Sequence, residues 1–470
     1  MTFFFYDLET SGLSARKDRI MQFAGQRTDN ELNPIGEPVN VLVALNDDTL
    51  PDPEAIMVTG ITPQKTLEEG YTEAQFAHML ITDIFTPDTI AVGYNSVRFD
   101  DEFVRHLLWR NFIDPYEWSW REGRSRWDIL DVVRMTRALR PEGIEWPVDG
   151  DGKAVNKLGP IAKVNHISHE NAHDALSDVN ALIDVTRLIR SKQPQLFEYL
   201  LKLRDKKEVQ KLINLDDKQP FVYTSGRFDA QYEKTTVAFP IAPAPNNNVL
   251  VYDLRDDPTQ FMSLSEDELA AKVFAPWEER SQEGFVRLPV KVLQYNRCPA
   301  VAPLGVLEAG EGWKRIGLDL ATVEAHKKVL LGRPDFAERL RSVFERTREY
   351  AASSDPEAQL YDGFLADRDR LRVEAVRVAN DKELVDMHPD FSDERLPALL
   401  LHYKARNFPK SLSEDEVGQW EAWRAQRIND ALPRYLAALE KISTTTNDNE
   451  KQFLVQELQL WAESIIPVPD

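Results

Sequence analysis

Asp7 and Glu9 stand two residues apart in TFFFYDLET, with aromatic and aliphatic neighbours on both sides. In a β-strand, residues i and i+2 project from the same face, so the two carboxylates sit side by side. Phe3, Phe4, Phe5, Tyr6 and Leu8 give the run the look of a buried central strand. Paired acids there repel each other and lose hydration unless cations join them. Taken alone, the pair also fits a strand end open to solvent. The TSG that follows signals a turn, so the acids lie at the strand's mouth in either case.

Two further stretches offer matching chemistry. In GYNSVRFDDEF a strand ending at Gly93-Tyr94-Asn95 runs into a helix from about Phe99, with Asp100 in its first turn. The helix dipole favours an acid there, and Asp101 and Glu102 share that account. In NAHDALSDVNALIDVTRLI, Ala175, Val179, Leu182 and Val185 form an apolar helical stripe, and Asp178 sits at its edge. His173 precedes Asp178 by five residues, about 140° around a helix of 3.6 residues per turn. Both cannot point one way from a regular helix, which places His173 on the preceding loop or first turn.

The three stretches, in this order, resemble the DEDD superfamily of exonucleases in its histidine branch. The shared pattern is D-x-E on the first strand, an Asp after an Asn-bearing strand–helix junction, and H-x₄-D on a late helix. Each motif is weak alone; their joint occurrence is specific. Magnesium takes oxygen ligands in octahedral geometry, and four carboxylates suffice for the two ions of phosphodiester hydrolysis. The resemblance implies that Asp7, Glu9 and Asp178 hold a first Mg²⁺ and that Asp7 and Asp100 hold a second, with Mn²⁺ able to substitute. His173 is then the general base, as an imidazole titrating near pH ~6.5 allows. There is no Cys/His cluster, so zinc is not expected.

The elements that must position these residues follow from length and pattern. At 470 residues the chain predicts two or three domains. TFFFYDLE, IMQFAGQRT, VNVLVAL and TIAVGYN read as strands, and 99–111, 127–138 and 174–190 as helices. That is an α/β sheet covered by helices. Residues 218–300 hold short β runs, VAFPIAP, NVLVYDL and FVRLPVKVLQYN, broken by Pro, Gly and Asn, with a helical insertion near EDELAAKVF. They predict a small β-barrel or sandwich. Beyond about 320 helical patterns dominate: Ser413 and Glu416 form a capping box, and Leu454, Leu458, Trp461 and Ile465 one stripe. AASSDPE near 351–357 reads as the linker ahead of the last part.

Composition narrows the class. The single cysteine, Cys298, excludes an intramolecular disulfide and suits a reducing cytoplasm. No stretch approaches a membrane span or a signal peptide, so a soluble cytoplasmic protein is expected. A net charge of −21 argues against a polyanionic partner. That argument weakens for a carboxylate site that metal cations fill.

A closer resemblance covers essentially the whole chain. ITGITPQ, GYNSVRFDDE, RNFIDPYEWSW, SRWDIL, ALRPEGIEWP, NAHDALSDV, KQPQLFEYL, PVKVLQYNRCP, AQLYDGF and YKARNFP look like the bacterial exodeoxyribonuclease I family. The family implies an RNase H-like α/β exonuclease domain (1–195), an SH3-like β domain with a helical insertion (196–352) and an α-helical C-terminal domain (353–470), closing around a groove. It also implies a monomer that degrades single-stranded DNA 3′→5′ to mononucleotides in repair and recombination. Its partner is the acidic, hydrophobic C-terminal tail of single-strand DNA-binding protein.

For DNA, Tyr116, Trp118, Trp120 and Trp127 interleave with Arg105, Arg121, Arg124, Arg126, Arg134, Arg137 and Arg140. Rings stack bases and guanidinium groups hold phosphates, though half or more of such aromatics belong to cores, Trp127 among them. The resemblance selects Glu9, Arg105, Tyr116, Trp120, Arg134 and Lys157 as substrate contacts. Arg204, Lys206 and Lys207 extend the basic set, and Arg140 beside Pro141 is the residue expected to meet the partner tail. The family places an aromatic where this chain has Ser11, which bears on how the terminal base is wedged. Two other readings use the same residues: an RNA 3′-exonuclease of the superfamily, and a non-catalytic nucleic-acid adaptor. The second would have lost a metal ligand, and none is missing.

Overall fold

Strand β1 (Thr2–Thr10) is buried along most of its length because its residues are aromatic or aliphatic nearly throughout. In this computed structural model, which describes residues 1–168, 174–346 and 353–467, β1 runs antiparallel to β2 (Ile20–Thr28) and parallel to β4 (Thr89–Gly93). With β3 (Val39–Leu42) outside β2, the order is β3-β2-β1-β4, and β1 is central. The sheet's fifth strand, β5, is Ser125–Asp128.

The chain divides into two compact units. The first comprises Met1–Ser125, His169–Ile183 and Ala351–Asp470. Its cores explain why the first and last parts of the chain cohere. Phe4, Tyr6, Leu8, Phe23, Phe76 and Leu107 form one cluster under the sheet. Trp109 and Phe112 pack with Leu360, Leu384, Leu399 and Tyr403 in a second. In a third, Met21, Leu45 and Ile56 meet Leu454, Leu458, Trp461 and Ile465, the stripe predicted from helical spacing. Trp461 Nε1 also donates to the Thr49 carbonyl at 3.0 Å. Ser413 and Glu416 form the capping box of the Glu414–Thr445 helix.

The second unit comprises Arg126–Ser168 and Asp184–Tyr350. It holds a five-stranded antiparallel sheet, β6 (Phe221–Thr224), β7 (Thr235–Ala244), β8 (Asn248–Asp253), β9 (Val290–Leu293) and β10 (Ala300–Pro303), in the order β10-β6-β7-β8-β9. Val237, Phe239, Ile241, Val249 and Val251 are buried in its core. Pro240 and Ala242 flank a break in the β7–β8 ladder, where a residue without an N–H is tolerated. The EDELAAKVF run is a helix, Glu266–Phe274, capped by Ser265 and Glu268. No helix among the described residues is long and apolar enough to cross a membrane.

Candidate metal centre

The parallel pairing of β1 with β4 ends at Phe5 and Val92, so Asp7 and Glu9 lie on the part of β1 that runs past its neighbour. Open α/β sheets bind ligands beyond the carboxyl ends of their strands. β4 ends at Gly93, where a Cβ would stand 2.5 Å from the Cβ of Ser96. Glycine lets the chain fold back tightly into the helix Asp100–Arg110.

The three acids opening that helix have separate fates. Tyr6 donates its hydroxyl to Asp101 at 2.7 Å, tying Asp101 to β1. Glu102 accepts from Arg105 at 2.8 Å and from the Tyr361 hydroxyl. Asp100 is buried at the helix's first position. Ala175–Lys192 is a helix, and the predicted stripe of Ala175, Val179, Leu182 and Val185 is buried, with Asp178 half-buried beside it.

Asp7, Glu9 and Asp178 converge. One carboxylate oxygen from each lies within 4.8 Å of the others. Burial, helped by the charge of Asp178, pushes Asp7 up to about 8. Burial, followed by the charges of Asp7, Asp178 and Asp174, pushes Glu9 up to about 8 as well. Carboxylates this close bind protons tightly for the reason they would bind a divalent cation: each relieves the same uncompensated negative charge. The donor set is all oxygen, which suits a hard cation. Asp100 stands outside this triad, and His173 lies outside the described residues. Asp174, which contributes to the field at Glu9, carried no signal in the sequence beyond its nearness to Asp178.

The residues predicted to meet DNA fall in both units. Arg105 is buried; it pairs with Glu102, lies 3.4 Å from the Tyr361 hydroxyl and packs over the half-buried Tyr116 ring at 5.7 Å. Trp120 is 63% exposed, whereas Trp118 and Trp127 are core residues. In the second unit Arg134 pairs with Asp131 at 2.6 Å, and Gly226 leaves room for its guanidinium, which a Cβ would approach to 2.8 Å. Lys157 and Lys206 are exposed at the starts of two short helices. Arg140 is half-buried and donates to the carbonyls of Leu139 and Val306 at 2.6 and 3.3 Å. Ser11 is fully buried, its Oγ accepting from the Arg19 N–H at 2.8 Å.

Three family models match in succession: Exonuclease over residues 4–186, Exonuclease I SH3-like domain over 204–346 and Exonuclease I C-terminal domain over 354–465. The exodeoxyribonuclease I of Haemophilus influenzae is 38% identical over 97% of each chain. The Escherichia coli exonuclease I solved with a dA16 oligonucleotide is 38% identical, covering 99% of this chain and 100% of its own, with a TM-score of 0.95. An exonuclease I from Methylocaldum szegediense is 40% identical, over 99% and 100%, with a TM-score of 0.92. Similar structures at 37% identity, each covering 99% of both chains, include the E. coli enzyme with single-stranded DNA and zinc (TM-score 0.93) and an SSB/exonuclease I complex with an inhibitor (TM-score 0.91). Zinc in that relative means that an absent Cys/His cluster does not by itself rule zinc out.

Proposed function

This chain belongs to the exodeoxyribonuclease I family, and from that premise we propose that it hydrolyses single-stranded DNA from the 3′ end to mononucleotides. The observation that carries the chemistry is the convergence of Asp7, Glu9 and Asp178, which with burial raises the proton affinities of Asp7 and Glu9. These three would hold one divalent ion, and Asp7 with Asp100 a second, Mg²⁺ being the ion the oxygen donors suit and Mn²⁺ its substitute. When bound, such ions supply an attacking hydroxide at neutral pH and stabilise the leaving oxygen.

His173 would take the proton of the attacking water as general base. Glu9 serves the substrate as well as the metal. Trp120 offers a base an exposed ring, beside Tyr116 and Arg105. Arg134, Lys157 and Lys206 supply the cationic contacts of the second unit. The domain limits that go with this reading are 1–195, 196–352 and 353–470. The SSB complex of a relative supports the SSB tail as partner, with Arg140 its contact on this chain. We place the monomeric enzyme in the cytoplasm, acting in repair and recombination.

The test uses a single-stranded oligonucleotide labelled at either end in turn, with Mg²⁺ or with chelator. A 3′ label should appear at once as mononucleotide, and a 5′ label as a shortening ladder. Chelator should stop both, and matched RNA or blunt duplex should react far more slowly. Asp178→Ala should remain folded and lose several orders of magnitude in rate. Undiminished hydrolysis in chelator, or by that variant, would sink the assignment.

A further inference from the structure

Glu357 lies in the stretch whose composition reads as a linker, yet its side chain is fully buried. One carboxylate oxygen accepts from Arg19 Nη2 at 2.7 Å. The other meets the Arg406 guanidinium and His402 Nδ1, the latter at 2.9 Å. Its backbone carbonyl lies 3.2 Å from His106 Nδ1, and the Trp109 indole donates to the adjacent Pro356 carbonyl at 3.0 Å. Burial, with Arg110 nearby, pushes the His106 imidazole down to about 3, so the ring is neutral. A carbonyl only accepts, so Nδ1 carries the ring's proton.

These partners sit on the elements that present the metal-site acids. His106 and Trp109 belong to the helix that Asp100 begins. Arg19 closes the loop that follows Glu9: Ser11 N–H donates to the Arg19 carbonyl and Arg19 N–H to Ser11 Oγ, both at 2.8 Å. The β1–β2 register shifts between Glu9 and Thr10, and a bulge there sets the direction of the neighbouring side chains. Asp355, Glu357 and His402 bring ligand atoms close enough for a metal. Arg19, Arg406 and Arg427 already occupy the two carboxylates, so the trio is a cross-tie and not a second ion site.

We propose that Glu357 is a positioning residue for the metal-binding carboxylates, fixing the Glu9 end of β1 through Arg19 and the Asp100 helix through His106. The inference rests on the metal-dependent reading above and adds to it a task for the C-terminal helical region. Residues that orient metal ligands typically contribute 10–100-fold to metal affinity.

The experiment titrates Mn²⁺ alone into the full chain, followed by electron paramagnetic resonance, for wild type, Glu357→Gln, His106→Phe and Tyr435→Phe. The last removes a buried hydrogen bond, Tyr435 hydroxyl to Leu458 carbonyl at 2.7 Å, within the C-terminal helices and away from the tie. Glu357→Gln and His106→Phe should bind Mn²⁺ about tenfold more weakly, with kcat reduced and KM for the oligonucleotide held. Tyr435→Phe should match wild type. Should Glu357→Gln fail to fold, His106→Phe carries the test, since it cuts a single neutral bond. Unchanged Mn²⁺ affinity in the folded tie variants, or equal weakening in Tyr435→Phe, overturns the inference alone. A wild-type chain with no Mn²⁺ affinity overturns the metal reading and the inference with it.

Discussion

Asp178→Asn removes one charge from a site where three carboxylates converge, and the effect on stability should change sign when metal is added. Without metal, burial and then Asp178 hold Asp7 near 8, and burial with the surrounding acids holds Glu9 near 8. In the unfolded chain both groups titrate near pH ~4. The folded state is therefore the tighter proton binder between about 4 and about 8, and the stability this contributes is lost as pH rises through that window. The displacement of Asp7 from 3.8 to about 8 bounds its cost at roughly 6 kcal/mol. Burial is the larger cause, so the near-isosteric Asn should return roughly 1–2 kcal/mol. The assay is thermal unfolding in chelator. At pH 8 the variant should melt above wild type, and at pH 5 the two should nearly coincide. With Mn²⁺ at a hundred times its dissociation constant, wild type should gain about 2.7 kcal/mol and the variant far less, reversing the order. A variant that melts with or below wild type at pH 8 in chelator would refute the electrostatic account of the site.

His173→Ala should lower turnover by about 10²–10⁴-fold with little change in DNA affinity; a single-turnover assay that finds weakened binding at full rate would make His173 a contact. Trp120→Ala should cost roughly 1–3 kcal/mol in oligonucleotide binding by fluorescence titration, whereas Trp127→Ala should cost about 3–5 kcal/mol in folding. Arg140→Ala should weaken binding of an SSB-tail peptide in calorimetry, and equal affinities would remove Arg140 from that contact. Burial alone would raise Glu357 and Asp48, but the guanidinium groups of Arg406 and Arg19 outweigh it and hold both below the carboxylate range. Their contribution is present above pH ~4 and lost as pH falls below it, so Glu357→Gln should flatten the acid limb of the stability profile.

What the sequence disclosed depended on how local each signal was. β1 was legible because nine consecutive residues carry both its burial and its acids. The Ala175–Lys192 helix and the Leu454–Ile465 stripe were legible through their period, which needs no knowledge of what they pack against. The AASSDPE stretch was legible as a boundary, and it falls where the SH3-like and C-terminal family models meet. Its anchoring was not legible: Glu357 is held by partners hundreds of residues away, and spacing along the chain carries no trace of such pairs. Ser11 was legible only as a departure from the family's aromatic; its hydrogen bond with Arg19 belongs to the folded turn and leaves no mark in spacing.

The arginines read as a nucleic-acid signature have acidic partners within the protein. Arg121 pairs with Glu117, Arg124 with Glu122, Arg134 with Asp131 and Arg137 with Glu233, all within 2.9 Å. Much of that interleaved charge also balances acids of the same region. A chain of net charge −21 can still serve a polyanion if the field that matters is set locally. Asp7, Glu9 and Asp178 form a concentrated negative site that is costly by itself, and a divalent cation held there would convert it into an attraction for phosphate. Trp120, Lys157 and Lys206 are exposed, which suits the stacking and charge contacts proposed for them. On the proposed reading, three of the acids behind that negative charge would couple DNA binding to the ions that serve catalysis.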